Sequence, residues 1–294
     1  MASLIIPAHN EGQQIAALLT QLEGEVEKSD QVIVVANGCH DDTVELAKKF
    51  SYVTVLDLTE ASKIAALNAG DSQAGTNFPR LYLDADITFA PGTVRNLIKA
   101  LQVSESRVAA PHISIDLSKS SFLVKSYYFV VSRHPWIVKH AQTHLAGRRI
   151  YGANQLARQR FDQFPTVTND DGFFDQCFSS AERVIVPETM VFTEARRTSK
   201  EEVGRLVRVR RGNLELDRWF LASGQSRPDR DNASPLVGSR IVRIIRMLAT
   251  SGFITRPSLF APFYIAGWLI LKRRVTRLTR LTEESGSGID WAGK

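Results

Sequence analysis

The chain has 294 residues, and 44% of them are hydrophobic. This length suffices for one large domain with its own core and a smaller appendage. The two cysteines, Cys39 and Cys177, are too few for a disulfide framework, so we expect a reduced, cytoplasmic setting and no role for either thiol. An apolar strand starts almost at residue 1 with no charged leader, so we expect no signal peptide.

The formal net charge of +6 is unevenly distributed along the chain. Residues 196–280 carry 19 Lys and Arg against 6 Asp and Glu, whereas the other residues carry 18 against 25. The basic excess indicates an anionic partner for this part of the chain, such as substrate phosphates, nucleic acid or an acidic membrane surface. Solvated helix faces are the plain alternative. Because the chain has no recognisable nucleic-acid-binding motif, we expect no nucleic-acid partner.

The first hundred residues alternate between short apolar runs and amphipathic segments. The apolar runs predict strands over residues 3–6, 31–36, 53–56 and 80–83. Amphipathic spacing predicts helices after a cap near Asn10, after the turn NGCHDD, from Ser62 to Ala69 and from Pro91 onward. This alternation is typical of an α/β fold with a mostly parallel, Rossmann-like sheet flanked by helices.

Three of the predicted strands end in polar loops, at residues 7–12, 37–42 and 84–86. Ligands of parallel sheets bind in the crevice beyond the carboxyl ends of the strands, so these loops should meet at one site. Asp84 and Asp86 flank one small residue, and two such carboxylates can hold Mg²⁺ or Mn²⁺. Acidic loops without a metal are common, so this spacing is a weak signal by itself.

A lysine and a second carboxylate pair add to this chemistry. Lys63 lies at the start of a predicted helix, where its ammonium group would meet a phosphate or pair with a carboxylate. Asp170 and Asp171 lie in a segment that predicts no regular structure, and one of them would act as a general base toward a hydroxyl. A solvated turn is the alternative for this pair. Either Asp41 or Asp42 is expected to cap the helix that follows it.

The later parts of the chain are less regular. From about residue 112 to 195 we expect an irregular segment packed over the crevice, with one further strand over residues 182–187. The composition divides the chain into a main domain over 1–222, a polar linker over 223–235, a basic helical region over 236–281 and a disordered tail over 282–294.

The basic helical region contains an uncharged run over residues 257–271. This run of 15 residues is shorter than the roughly 20 residues that span a bilayer as a helix. Basic residues flank it, and an amphipathic segment precedes it, so we expect it to associate with a membrane surface. A buried core helix with a basic exterior is the alternative.

Four motifs in this order carry a resemblance to a known family. LIIPAHNEG, VIVVANGCHDDT, SKIAALNAG and LYLDADITFAPGTV look like those of the family-two glycosyltransferases with the GT-A fold. These are inverting enzymes that use nucleotide-diphosphate sugars. The resemblance covers residues 2–105 strongly and residues 145–213 more loosely, through GANQLARQRF, NDDGFF and VRVRRG.

The resemblance implies roles for particular residues. The implied nucleotide-sugar site consists of Pro7, His9, Glu11, Asn37, Asp41, Lys63, Asn68, Asp84 and Arg211. Asp86 and Asp84 match the family's D-x-D pair and would hold Mg²⁺ or Mn²⁺. Asp171 matches the catalytic base, with Asp170 in place of the usual Glu.

The sequence departs from the family pattern at further positions besides Asp170. Asn37 replaces an aspartate that usually reads the base, so either a UDP-sugar or a GDP-sugar is expected as donor. Arg208 and Gly212 replace the Gln and Trp of the Q-x-x-R-W motif, which argues against a processive polymerase and leaves Arg211 as a diphosphate contact.

The expected function is transfer of a sugar to an acceptor hydroxyl in the synthesis of a surface polysaccharide or glycolipid. The acceptor would be lipid-linked, and the protein would lie at the inner face of the cytoplasmic membrane. A sugar-phosphate nucleotidyltransferase is an alternative. Such an enzyme would need a basic, glycine-rich loop after the first strand to hold a triphosphate, and PAHNEG has no Lys or Arg. A non-catalytic membrane tether is the other alternative.

Overall fold

The structure is a computed structural model that describes residues 1–229 and 261–284. Its strands are β1 (Ser3–Ala8), β2 (Gln31–Asn37), β3 (Val53–Leu58), β4 (Arg80–Leu83), β5 (Thr88–Phe89), β6 (Val108–Asp116), β7 (Ile150–Ala153) and β8 (Arg183–Glu194). Its first six described helices are α1 (Gly12–Leu22), α2 (Thr43–Ala47), α3 (Lys63–Ala74), α4 (Thr93–Leu101), α5 (Phe122–Val131) and α6 (Pro135–Ala141). The later helices are α7 (Gln155–Arg158), α8 (Asp170–Gln176), α9 (Ser199–Ser223) and α10 (Ala261–Glu284).

The eight strands form one mixed sheet in the order β3-β2-β1-β4-β7-β6-β8-β5. The first four strands in this order are parallel, β7 is antiparallel to both of its neighbours, β6 and β8 are parallel, and β5 is antiparallel to β8. β1 is buried at every position, as the continuous apolar run of a two-sided parallel strand requires. The prediction of an α/β fold with a mostly parallel sheet between helices is confirmed.

Apolar side chains cover both faces of the sheet. One face packs against α1 and α4, through residues such as Ile15, Leu19 and Leu97. The other face packs against α3 and α8, which include Leu67 and Phe173. The helices therefore hold the strand ends rigidly, and the loops beyond β1, β2 and β4 start from fixed points.

The segment after residue 112 is more regular than expected. Six helices or strands begin in it, and the strand predicted over 182–187 extends over Arg183–Glu194. Asp170 and Asp171 lie in the first turn of α8, which corrects their assignment to an irregular segment. The side chain of Asn169 accepts a hydrogen bond from the Gly172 N–H, and acidic residues are favourable in a first helical turn. Seven residues are too few for a periodic pattern to reveal this helix.

The described part of the C-terminal region packs against helices that precede residue 224. α10 lies against α5 and α9, and its buried face includes Gly267, Leu271 and Val275. Its helix continues to Glu284, past the point where the disordered tail was predicted to begin. The predictions for residues 230–260 lie outside the described residues. Among the described helices, none is both long enough and apolar enough to cross a membrane.

Candidate active site

The carboxyl end of β4 carries a group of charged side chains. We call six residues the charged cluster: Lys63, Asp84, Asp86, Arg149, Asp170 and Asp171. Lys63 is the first residue of α3, whose N-cap Ser62 accepts a hydrogen bond from the Ala65 N–H. The Lys63 Nζ lies 2.9 Å from Asp84 Oδ1 and 3.0 Å from Asp170 Oδ2. This ammonium group therefore joins the end of β4 to the start of α8.

The electrostatics of this contact favour the charged forms. Burial by itself lowers the pKa of Lys63, but the carboxylates of Asp170 and Asp84 outweigh it, and the pKa is raised. Burial by itself raises the pKa of Asp84, but Lys63 and Arg149 outweigh it, and the pKa is lowered. Both side chains are thus ionised at neutral pH. The sequence left open whether Lys63 meets a phosphate or pairs with a carboxylate, and in the structure it pairs with carboxylates.

Arg149 is a member of the cluster that the sequence did not indicate. Its Nε lies 3.2 Å from Asp84 Oδ2, and its Nη2 donates a hydrogen bond to the Asp86 carboxylate. The Asp84 N–H donates to the Arg149 carbonyl at 3.0 Å. Only the antiparallel pairing of β7 with β4 brings Arg149 here, and no motif or spacing in the sequence signals that pairing.

The two aspartates of α8 differ in their surroundings. Asp170 is 5% exposed, and its Oδ2 accepts a hydrogen bond from the Tyr151 hydroxyl at 2.9 Å. Asp171 accepts backbone hydrogen bonds from Gly147 at 2.5 Å and from Gly172 at 2.8 Å. Burial and the neighbouring charge of Asp170 raise the pKa of Asp171 to about 6. A carboxylate with this pKa is ionised at neutral pH and is a stronger base than an ordinary aspartate.

The loops after β1 and β2 are tied to each other. The Asp41 carboxylate accepts hydrogen bonds from the backbone N–H groups of Gly12 and Thr43, at 3.1 Å each. α2 begins at Thr43 with Asp42 as its N-cap residue, although the Asp42 side chain makes no capping hydrogen bond. The expectation that Asp41 or Asp42 caps this helix is confirmed for Asp42 by position, while Asp41 accepts the hydrogen bond from the Thr43 N–H. Asn37 is fully buried at the end of β2, and its carbonyl oxygen lies 2.5 Å from His9 Nδ1.

Three other predicted residues have distinct positions. Glu11 begins α1 as its N-cap and acts electrostatically on Arg149, so the first loop faces the charged cluster. Pro7 is part of β1, beside Val35 of β2. The structure does not bring Asn68 to the cluster, because its amide donates to the Phe164 carbonyl at 3.0 Å and accepts from the Phe164 N–H at 2.9 Å.

Two arginines of α9, Arg208 and Arg211, are candidates for contact with a diphosphate. Arg211 precedes Gly212, which packs closely against Asn169, the N-cap of α8. Arg208 lies one turn earlier, and its positive charge acts on Asp84. Partial burial and neighbouring arginines, Arg149 among them, lower the pKa of Arg208. The sequence indicated Arg211 as a diphosphate contact, whereas the structure points to Arg208 as a further candidate.

The oxygen atoms of Asp84 and Asp86 are of the kind that Mg²⁺ and Mn²⁺ prefer. Among the described residues, no group of three or more His, Cys, Asp and Glu side chains is arranged to hold a metal. An ion at this pair would therefore need water or substrate oxygens as further ligands, and it would meet Arg149. The pair fits a divalent ion in ligand chemistry, with Arg149 as a competitor.

The parallel strands, the acidic loop at the end of β4 and the helix-borne aspartates define a glycosyltransferase of the GT-A fold. The sequence profile of "Glycosyl transferase family 2" matches residues 3–166, which is more than half of the chain. The chain belongs to this family, and it transfers a sugar from a nucleotide-sugar donor. A search among curated proteins gives no match.

Solved structures of two transferases were compared with this chain, and the first of them shares its fold at low sequence identity. The mannosyltransferase PcManGT from Pyrobaculum calidifontis, in complex with GDP-Man and Mn²⁺, has a TM-score of 0.58 at 15% identity, covering 97% of this chain and 79% of that chain. Residues 1–349 of S. aureus TarS in complex with UDP give a TM-score of 0.49 at 14% identity, covering 99% of this chain and 93% of that chain.

Replacing Lys63 by Met should destabilise the protein by about 2 kcal/mol at pH 8, because it leaves neighbouring carboxylates without their shared cation. Asp84 has a lowered pKa in the native fold, so its stabilising contribution is fully present between pH 5 and pH 8. In the variant the carboxyl pKa values rise, so protonation relieves the repulsion at pH 5 and the loss is smaller there. Urea unfolding at both pH values measures this difference.

The matched control is Lys99→Met, which removes an exposed lysine from the outer face of α4. We expect it to change the unfolding free energy by less than about 0.5 kcal/mol at either pH. A Lys63→Met loss of equal size at pH 5 and pH 8 would contradict the electrostatic role of Lys63.

Proposed function

We propose that the protein is a metal-dependent, inverting glycosyltransferase that moves a sugar from a UDP- or GDP-sugar to an acceptor hydroxyl. The observation that carries this proposal is the arrangement of the charged cluster. One cation, Lys63, joins the Asp84 carboxylate at the end of β4 to α8, where Asp171 has a pKa raised to about 6. A donor-binding acid pair thus lies beside a carboxylate suited to accept a proton.

On the donor side, Asp86 and Asp84 would hold Mg²⁺ or Mn²⁺, which supplies positive charge to the leaving nucleoside diphosphate. The nucleoside would lie against the loops that carry Pro7, His9, Glu11, Asn37 and Asp41. The hydrogen bonds from the Gly12 and Thr43 N–H groups to the Asp41 carboxylate hold the two loops together.

The donor diphosphate would also meet basic side chains of the protein. Arg208 acts on Asp84 electrostatically, and Arg211 lies one turn further along the same helix, so we assign both as contacts of the phosphate oxygens. Lys63 would add its charge through its ion pair with Asp84. We assign Asn68 a positioning role, because its two hydrogen bonds fix Phe164 in the segment that leads to α8.

On the acceptor side, Asp171 would take the proton of the attacking hydroxyl as its oxygen bonds to the anomeric carbon. The bond from that carbon to the diphosphate oxygen breaks at the same time, so the configuration inverts in a single displacement. The two backbone N–H groups that bind Asp171 hold its carboxylate in place. Asp170 stays paired with Lys63 and Tyr151, which sets the charge beside the base.

The choice of metal and donor is open to direct measurement. The Pyrobaculum mannosyltransferase was solved with GDP-Man and Mn²⁺, which supports testing Mn²⁺ and GDP first. Asn37 replaces the family's usual aspartate at the base, so UDP is tested beside GDP.

The acceptor is proposed to be a lipid-linked sugar or a surface polysaccharide at the cytoplasmic face of the membrane. α10 supports this proposal, because Ile270, Leu278 and Leu281 are exposed on it among exposed arginines. A helix surface that combines apolar side chains with Arg favours an acidic lipid interface. Its other face packs on α5 and α9, so α10 would hold the catalytic domain close to the lipid.

Donor binding is expected to require both the metal and Asp86. Calorimetric titration with UDP and GDP, with and without Mn²⁺, should give metal-dependent binding of one nucleotide. Asp86→Ala should weaken that binding at least about tenfold, or about 1.4 kcal/mol. The control Glu105→Ala removes an exposed carboxylate that precedes β6 and should leave the binding unchanged. If nucleotide affinity is the same with and without Mn²⁺, and the same in Asp86→Ala, the proposal of a metal at this pair is contradicted.

The base role of Asp171 predicts a pH profile. Below about pH 6 the Asp171 carboxylate becomes protonated, so kcat/KM should fall about tenfold per pH unit there and reach a plateau above. Asp171→Asn should lower kcat by roughly 10²–10⁴ with donor affinity retained. The measurement is release of the nucleoside diphosphate with membrane lipid extract as the acceptor source.

The control for this experiment is Asp162→Asn, which makes the same chemical change at an exposed position. It should keep both the rate and the pH profile. An unchanged rate in Asp171→Asn would argue for a different base. A kcat/KM that does not fall below about pH 6 would do the same.

Membrane association should depend on the arginines of α10. Changing Arg273 and Arg277 to Gln should weaken binding to phosphatidylglycerol vesicles by about 2 kcal/mol, roughly thirtyfold, since each surface charge contributes about 1 kcal/mol. Lys48 and Lys49, both exposed near α2, provide a control with the same change to Gln. Sedimentation with vesicles measures the binding. Equal losses in both variants, or no binding by the native protein, would contradict a role for α10.

A further inference from the structure

The guanidinium group of Arg149 occupies the position between the two carboxylates of the D-x-D pair. Asp84 has its Oδ1 against Lys63 at 2.9 Å and its Oδ2 against Arg149 Nε at 3.2 Å. The Asp86 carboxylate accepts from Arg149 Nη2, and the Asp86 carbonyl lies 3.4 Å from the same nitrogen. Both carboxylates of the pair are therefore neutralised by cations of the protein itself.

The backbone around Arg149 holds this side chain in place. Arg149 has a φ of +69°, a left-handed conformation that is uncommon for a bulky residue and persists only where the surrounding structure fixes it. The preceding Arg148 is 5% exposed and donates hydrogen bonds to the carbonyls of Pro111 and His144, at 2.9 and 2.8 Å. Gly147 is bound to Asp171. The turn is thus anchored on both sides of the guanidinium.

A divalent ion and the guanidinium cannot share these carboxylates. Mg²⁺ binds carboxylate oxygens at about 2.0–2.1 Å and demands an ordered shell of oxygen atoms around it. Arg149 fills that space, and two positive groups on one carboxylate pair repel each other. With Lys63 and Arg149 bound, an incoming ion also meets little net negative charge. Arg149 must leave before the ion can bind.

We propose that Arg149 is a built-in counter-ion of Asp84 and Asp86 that a divalent ion displaces, after which the freed guanidinium pairs with the donor diphosphate. This inference rests on the proposed function of the acid pair. The diphosphate is the anion that arrives with the ion, and Arg208 adds positive charge near Arg149. Arg149 would keep the pair from binding metal tightly in the absence of donor.

The test measures Mn²⁺ binding alone, with no nucleotide, by the electron paramagnetic resonance signal of free Mn²⁺. Arg149→Gly removes the guanidinium and suits the positive φ, because glycine adopts that conformation without strain. It should bind Mn²⁺ at least about tenfold more tightly than the native chain, a gain of about 1.4 kcal/mol. Adding Asp86→Ala to this variant should remove the gain.

Three further variants separate displacement from other causes. Arg149→Met keeps the length of the side chain without its charge and should also show the gain, so the test does not depend on how well the glycine variant folds. Arg149→Lys keeps the charge and should stay within about threefold of the native affinity. Arg208→Gln removes a nearby positive charge with no ion pair to the D-x-D pair, and it should give less than about threefold.

The outcomes decide this inference separately from the transferase activity. Equal Mn²⁺ affinity in the native chain and both charge-removing variants overturns it, as does a gain in Arg208→Gln as large as that in Arg149→Gly. Absence of Mn²⁺ binding in every variant also overturns it. In each of these cases, nucleotide binding and sugar transfer still report independently on the proposed function.

Discussion

The ion pairs of Lys63 with Asp84 and Asp170 are the contacts on which the site depends. A single ammonium group is shared by the carboxyl end of a parallel strand and the first turn of a helix far away in sequence. Without it, several carboxylates would face one another in a partly buried space, and such groups neutralise or move apart. The lysine therefore ties Asp84 to the start of α8, and its charge partly offsets the burial and the Asp170 charge that raise the pKa of Asp171.

The turn before β7 connects the two functions that the site combines. Gly147 binds the carboxylate of Asp171, and Arg149, two residues later, binds the carboxylates at the end of β4. A shift of this turn would change the environment of the base and of the acid pair together. Arg148, buried between them, makes such a shift costly because its hydrogen bonds to backbone carbonyls would be lost.

The sequence predicted what depends on local pattern and missed what depends on pairing across the sheet. The strands that end at Ala8, Asn37 and Leu83 are continuous apolar runs, and ordered polar loops follow them, so the crevice could be predicted. Arg149 could not, because an antiparallel strand inserted beside β4 brings it there. Helix α8 is too short for a periodic pattern to predict it. The hydrogen bonds between Asn68 and Phe164 join segments far apart in sequence, and no sequence pattern predicts such a contact.

The order of strands in the sheet has a consequence for how the chain reaches its active form. β1, β2 and β3 pair with one another over short stretches of chain, whereas β4 joins both β1 and β7, and β8 joins β6, only across long stretches of chain. Contacts between distant segments form slowly, because a large loop must close first. Asp171 on one hand and Asp84 and Asp86 on the other come from the two sides of the β4–β7 pairing. Recovery of catalysis after refolding should therefore follow the slowest phase and lag behind the return of helical signal.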